Sequence, residues 1–295
     1  MAAFGFATDY THILPAGISS WLIKSGKSGE AGAVELAPIA DGTVKIGTYV
    51  ATDSRKRAHP FGFGLEARAK ILGTAKASCL QKLNLLTGYL NTHQIVAISG
   101  ESYTGSMGTY WKFVCDGSID VNRYLEFGCD LGIINGTSTL DGILSGPSLD
   151  PSPSTDYLYG FTPGTIYPAS FSALTVRNAG ETAWEVIGAW RNPSLTAELK
   201  VVKDNNGRSI GYAVDVQLSF EMMQTYSAEA NLLDSLAANQ TDFLATLQDG
   251  TIFTFVGNMG MSFTYDNASD MDDIAFIKVT GTCTLTPTEF VACIS

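Results

Sequence analysis

Histidine is scarce in this 295-residue chain: only His12, His59 and His93 are present. They are scattered, with no HExxH and no pair at helical spacing, so neither a zinc site nor a histidine-based triad has a foundation. No pair of carboxylates stands out as an acid and base. The five cysteines, Cys79, Cys115, Cys129, Cys283 and Cys293, form no CxxC. An odd, widely spaced set reads as buried free thiols in a reducing compartment, not as a disulfide framework. No apolar run is long enough to span a bilayer. The amino terminus, MAAFGFATDYTH, lacks the basic region and apolar run of a signal peptide. Basic residues are also few. Lys and Arg total 18 against 29 Asp and Glu, for a net charge of −11 and a pI near 4.6. A general nucleic-acid binder should be basic, so this balance argues against one. It fits a surface that must not hold DNA tightly, and equally an ordinary acidic protein. Charged residues make up only 16%, which points to a surface partly covered by partners.

What is abundant favours β-structure. Hydrophobic residues reach 45%, ample for a core, and 30 glycines with many aromatics and threonines suit strands and turns. The length allows one large domain or two ordinary ones, and units of roughly 110–130 residues each bury enough surface to stand. By its pattern the stretch Gly64–Leu86 occurs twice: Leu65, Ala67, Ala69 and Ile71 alternate with Glu66, Arg68 and Lys70, then Leu83, Leu85 and Leu86 follow in a helix. In Gly211–Leu233, Tyr212, Val214, Val216 and Leu218 alternate with polar residues, and Leu232 and Leu233 follow. An offset of 147 takes Leu65 to Tyr212 and Leu85–Leu86 to Leu232–Leu233. A shared offset across a strand and a helix predicts a duplicated unit.

Taken in order, the chain predicts a strand at Thr43–Ala51, then the loop Thr52–Pro60 with the basic triplet Arg55, Lys56 and Arg57. That loop reads either as a solvated hairpin or as a charged dock for an acidic neighbour. A strand at Phe61–Leu72 precedes a helix from Cys79 to about Leu90, marked by the capping box Ser78-x-x-Gln81. Strands follow at Gln94–Ile98, Trp111–Cys115, Ser118–Val121 and Leu125–Ile133. Residues 136–180 turn rich in Pro and Ser, with Tyr157, Tyr159, Phe161 and Tyr167, and read as a packed linker. The second half predicts strands at Trp184–Trp190 and Ile210–Phe220, with the loop Arg191–Ser209 between them. That loop has room for an extra hairpin at Asp204-Asn205-Asn206-Gly207. A helix at Ser227–Asn239 and strands at Phe243–Leu247, Ile252–Val256, Met261–Tyr265 and Ile274–Leu285 complete it, before an apolar, packed tail. Phe255-Val256-Gly257 is matched to Phe113-Val114-Cys115, and Cys283 and Leu285 to Cys129 and Leu131 at an offset of 154.

Three stretches resemble chemical motifs. Gly26-Lys27-Ser28 has the end of a P-loop, but Trp21 stands where that motif requires glycine. Gly100–Gly105 has the wrong spacing for a nucleophile elbow and reads as a hairpin loop. The acidic run Asp266–Asp273 lacks the spacing and glycine of an EF-hand, so a solvated tip is preferred over a calcium site. No catalytic, cofactor-binding or metal-binding residue is therefore assigned.

The order of strand, long loop, strand, helix and further strands, met twice, resembles the tail tube protein family of long-tailed bacteriophages. The resemblance covers about 45–136 and about 182–290. It implies a mainly β chain of two tandem, similar β-barrel or sandwich units, each with one packed α-helix. The units would be 1–140, with an amino-terminal arm, and 181–295, joined by the linker 141–180. It also implies a homo-oligomer: three chains in a pseudo-hexameric ring, rings stacked into a tube, and contacts to other tail proteins. DNA would pass through without specific binding, with no membrane involved. The subunit would be made in the bacterial host cytoplasm and end in the virion tail, with no catalytic activity. Arg55, Lys56 and Arg57 would touch the next ring, as would Arg191–Ser209, and Glu66 and Asp215 would face the lumen. The competing readings are another tail or capsid assembly protein, such as a terminator or baseplate part, and a two-domain β-sandwich that binds carbohydrate. In the latter, Trp184, Trp190 and Tyr157 would supply stacking faces. A hydrolase lacks an identifiable catalytic set.

Overall fold

Strict alternation dictates the strand Ala58–Ile71. Leu65, Ala67, Ala69 and Ile71 are buried, while Glu66 and Arg68 are exposed, because successive side chains leave a strand on opposite faces. The computed structural model describes residues 16–28, 32–52, 54–56, 58–72, 80–81, 83–135, 149, 166–178, 182–223, 241–265 and 276–295. The chain divides into two compact units. The first takes Met1–Thr74, Leu85–Trp111 and Leu125–Thr165; the second takes Ala75–Asn84, Lys112–Tyr124 and Ile166–Ser295.

The first unit is built from β1 (Ala16–Lys24), β2 (Val34–Glu35), β3 (Ile39–Thr52), β4 (Ala58–Ile71), β5 (Leu90–Ala97), the start of β6 (Ser102–Asp116) and β7 (Tyr124–Asn135). β3 pairs with β4, β4 with β7, and β7 lies beside β6. β5 pairs with both β6 and β1, and β1 returns to β3 through Ala16–Val44 and Gly17–Thr43. The six strands thus close into a barrel, and closure removes the free edges an open sheet would carry. Trp21, Ile23, Leu65, Ile95, Trp111 and Phe127 fill it, all at most 1% exposed. Each such side chain stabilises the fold by about 1.5–3 kcal/mol relative to exposure.

The second unit uses the end of β6 together with β8 (Phe171–Asn178), β9 (Glu185–Val186), β10 (Trp190–Lys203), β11 (Ser209–Met223), β12 (Thr241–Leu247), β13 (Ile252–Tyr265) and β14 (Phe276–Leu285). Lys112–Asp116 of β6 pairs with β10, β10 with β11, and β11 with β14. β14 pairs with β13, β13 with β12, β12 with β8, and β8 with β9. Phe220, Phe243, Phe253 and Phe255 form an aromatic interior, with Phe253 and Phe255 stacked at 6.3 Å. The helix α1 (Pro287–Ala292) starts on a capping box. The Thr286 hydroxyl accepts from the Glu289 N–H, and the Glu289 carboxylate accepts from the Thr286 N–H. After it the chain doubles back, and Ile252 and Ser295 exchange backbone bonds of 2.8 and 2.9 Å. The expectation of a packed tail agrees with this arrangement: Phe290 and Ile294 are buried.

Several expected elements differ. Of the helix expected from Cys79 to about Leu90, Leu80 and Gln81 are helical, Cys79 and Lys82 lie outside the described residues, and Leu90 already belongs to β5; Leu83–Leu85 form a 3-10 turn. Gly88 at φ 83° ends it, and the Asn91 amide donates to the Leu86 and Tyr89 carbonyls. These bonds satisfy carbonyls that a longer helix would have used. The strand expected at Trp184–Trp190 is only the two-residue β9, Glu185–Val186, and the long strand follows at Trp190–Lys203, so the long loop Arg191–Ser209 does not exist as a loop. Its hairpin turn is real but spans only Asp204–Arg208. Ser118–Val121 is not a strand, and Ile252–Val256 and Met261–Tyr265 are one strand. The second helix, Ser227–Asn239, and the linker residues Tyr157, Tyr159 and Phe161 lie outside the described residues, as does the acidic run Asp266–Asp273. Among the described residues no helix is long and apolar enough to cross a membrane.

Candidate functional site

Two hairpin tips and two polar sheet faces hold the residues singled out from sequence. In the first unit, β3 and β4 meet in a tight tip where Ser54, Arg55 and Lys56 are exposed. Lys56 sits at φ 58°, a left-handed conformation that an L residue adopts only where the turn demands it. Arg57 lies outside the described residues. In the second unit the β10–β11 tip is an Asx-type turn: Asp204 Oδ1 accepts from the N–H groups of Asn206 and Arg208, both at 2.8 Å, and Gly207 takes φ 78°. Below that tip the arm exposes Val201, Val202, Ile210 and Tyr212.

Glu66 lies on the outer face of the first barrel, between Lys45 of β3 and Asp130 of β7 in register. Its carboxylate is 3.5 Å from Arg68 Nε. Arg68 stacks over Tyr110 at 4.9 Å and lies across Gly128, where an added Cβ would meet its guanidinium. Lys70 faces Glu126 across the same pair of strands. Three cations, Lys45, Arg68 and Lys70, thus lie among four anions, Asp41, Glu66, Glu126 and Asp130, and the face carries no net positive charge.

Asp215 occupies a comparable row in the second unit, between Glu198 and Thr284, with Lys112 on the far side of Glu198. Thr284 donates to Asp215 Oδ1 at 2.8 Å, and Lys200 donates to Glu198 at 2.7 Å. The next row reads Thr196, Gln217 and Thr282. Together these rows line a shallow groove of about 650 Å³ that is polar but charge-balanced. Exposed pairs of this kind contribute little to stability.

Features of another sort were not singled out beforehand. In the first barrel Trp21 Nε1–H donates to His93 Nδ1 at 3.1 Å, and His93 Nε2 is 3.1 Å from Thr109 Oγ1. Asn91 donates to the same Thr109 oxygen at 2.6 Å. His93 is fully buried, and burial pushes its pKa from 6.5 down to about 3. In the second unit Arg123, 1% exposed, reaches Asp249 at 2.5 Å and lies 4.7 Å from the Tyr167 ring. Among the described residues its Nε and Nη1 have no hydrogen-bond partner. Burial raises the Asp249 carboxyl, but the Arg123 guanidinium and the Thr251 N–H outweigh it and hold the pKa below the usual range. Burial pushes Cys115 and Cys283 up to about 12 and raises Cys129 further, so these thiols stay protonated and inert. The signal for His93 was present: Asn91, His93, Ile95 and Ala97 alternate inward along β5. Arg123 carried no periodic signal, since it lies between strands.

The aromatics considered for carbohydrate stacking are engaged. Arg177 lies over Trp184 at 4.3 Å, and Trp190 meets Phe171 edge-on at 6.5 Å. Tyr157 lies outside the described residues. Trp21, at the position where a P-loop needs glycine, is buried core. Among the described residues no cluster of three or more His, Cys, Asp or Glu is placed to hold a metal ion. No protein-family model and no curated protein matches this chain.

Proposed function

We propose that the chain is a structural subunit of a hollow tube of the phage tail tube type, without catalytic activity, assembled through its sheet edges. The observation that carries this reading is how one edge is taken up. Lys112–Asp116 of β6 adds to β10 at Ser194–Glu198. Two other edges have no neighbour among the described residues: Gly260–Tyr265 of β13, which pairs only with β14, and Lys45–Thr52 of β3, which pairs only with β4. Placing one copy's β13 beside the next copy's β3 would repeat, between chains, the pairing already present within one. Free edges are aggregation hazards unless covered, and a closed ring covers them.

The strand pairings support a duplicated unit. β1–β2, β1–β5, β3–β4, β4–β7 and β5–β6 have the counterparts β8–β9, β8–β12, β10–β11, β11–β14 and β12–β13. Two such units per chain make three chains a pseudo-sixfold ring. Rings then stack through the β3–β4 tip, with Arg55 and Lys56, and the apolar β10–β11 arm. The balanced faces around Glu66 and Asp215 give a lumen wall without net positive charge, over which phosphate slides without being held. The place of action is the virion tail, after synthesis in a bacterial host cytoplasm.

Native mass measurement with electron microscopy of the purified chain tests this. Trimers or their multiples, and stacked rings in the images, are expected. Monomers alone at concentrations where tubes should form would sink the reading.

A further inference from the structure

We propose that the first barrel contains an acid-triggered release centred on His93, which opens the β1–β5 seam while the second unit stays folded. This rests on the barrel interior and is independent of the assembly reading.

His93 sits on β5, the strand that closes the barrel by pairing with β1 on one side and β6 on the other. Both ring nitrogens are committed. Indole N–H is a donor only, so Nδ1 must be the unprotonated acceptor of the Trp21 bond, and Nε2 carries the hydrogen. A second proton has one place to go, Nδ1, where it would face the Trp21 N–H donor to donor. The ring has no room to turn away: Trp21 meets it edge-on at 5.8 Å and Phe127 at 6.4 Å.

No charge offsets an imidazolium there. The inward residues of β4 are Leu65, Ala67, Ala69 and Ile71. Those of β7 are Leu125, Phe127 and Cys129, and β6 contributes Met107 and Trp111. Cys129 is the one other titratable side chain among these inward residues, and its thiol is neutral. The charged residues of the same strands, Glu66, Arg68 and Lys70 on β4 and Glu126 and Asp130 on β7, occupy the alternate outward positions. A hydrogen bond to the Met107 backbone favours the charged ring, but the cost of burying it without a counter-charge outweighs that, so acid favours whichever state lets the ring reach water. The cheapest such state parts β1 from β5. Once His93 leaves, Thr109 loses a partner, and parting β1 from β5 also strains the bond by which Asn91 accepts from the Gly26 N–H just beyond β1. The sign follows from the depressed folded pKa: closure is fully stable above about pH 6.5 and weakens as the pH falls toward about 3.

The test is hydrogen exchange read by mass spectrometry on the full chain at pH 6.5 and 5.0, corrected for the intrinsic pH dependence of exchange. Peptides covering Ala16–Lys24 and Leu90–Ala97 should show an opening constant about 15-fold larger at the lower pH, the linkage of a single histidine. Peptides covering Phe171–Asn178 and Thr241–Leu247 should change less than threefold. His93→Phe should remove the gain. Should that variant fail to fold, His93→Gln keeps amide donor and acceptor groups without titrating and should do the same. His12→Gln and His59→Gln should leave the gain intact. An equal gain in both units, or a gain that survives in the His93 variant that folds, would overturn the proposal.

Discussion

The interiors of the two units use opposite solutions to the same task. The first barrel threads a polar chain, Trp21 to His93 to Thr109 to Asn91, through its core. The second packs Phe220, Phe243, Phe253 and Phe255 there, and keeps its polar burden at the margins, in Arg177–Asp242 and Arg123–Asp249. Buried hydrogen-bond networks fix one geometry but tolerate no lost member, whereas an aromatic core is forgiving of chemistry and sensitive to volume. The two units should therefore fail under different insults: the first to a proton, the second to a missing ring.

Four changes sharpen that contrast, taken from the largest effect down. Phe243→Ala should destabilise the second unit by about 4 kcal/mol through lost burial and the cavity left behind, read by urea unfolding. Asp249→Ala should cost about 3 kcal/mol because it strands Arg123 as an unpaired buried cation, while Arg123→Met at the same site should cost less than about 1 kcal/mol. If the two substitutions cost the same, the ion pair is not what holds Arg123 in place. The Asp249 pair also sets a pH limit. Its carboxyl is depressed in the folded state, so its contribution is present above about pH 4 and lost as the pH falls below that. An acid titration followed unit by unit should show the first barrel yielding at a higher pH than the second. Thr286→Ala should remove the α1 cap at a cost of about 1 kcal/mol, detectable as faster exchange confined to Pro287–Ser295. Gly128→Ala is the mildest. Arg68 is about half exposed and swings aside, so the loss should be about 0.5 kcal/mol, the value of its stacking on Tyr110.

Alternation made the strands legible. Leu65 to Ile71 and Val214 to Leu218 bury the residues the period-two pattern selects, and the Asp249-Gly250 turn is where glycine at φ 86° was needed. The offsets required adjustment. With Cys129 matched to Cys283, the strand registers pair Ala67 with Cys129 and Val216 with Cys283, which gives an offset of 149 where 147 was read. The two values share parity, so every residue keeps its face. The match of Phe255 to Phe113 fails: Phe255 lies five residues beyond the Gly250 turn and pairs with β12, whereas Phe113 lies 13 beyond the Gly100 turn and pairs with β10. In β10, Asn192-Pro193 interrupts the strand pattern. The register slips between Arg191 and Ser194, with Asn192 at φ 51°, so the proline sits in a bulge where its missing N–H is harmless. The pattern extends the helix after β4 too far because Leu83 and Leu86 are buried as helical leucines would be, and nothing local announces that Asn91 will take the Leu86 and Tyr89 carbonyls. Of the candidate site, the tips and the outward carboxylates were readable from turn and strand patterns. The His93 network and the Arg123–Asp249 pair depend on partners 72 and 126 residues away, which no local pattern reports.

One strand, β6, supplies residues to both units, and the second unit also takes Ala75–Asn84 from early in the chain. Synthesis on a ribosome therefore delivers pieces of the second unit well before Ile166–Ser295 exists to receive them. No single cut in the gene separates the two units, and a nascent chain halted near residue 165 holds Lys112–Asp116 before β10, its partner in the second unit, has been made. The second unit therefore closes only after Ile166–Ser295 has been made, which ties its folding to the last part of the chain to be synthesised.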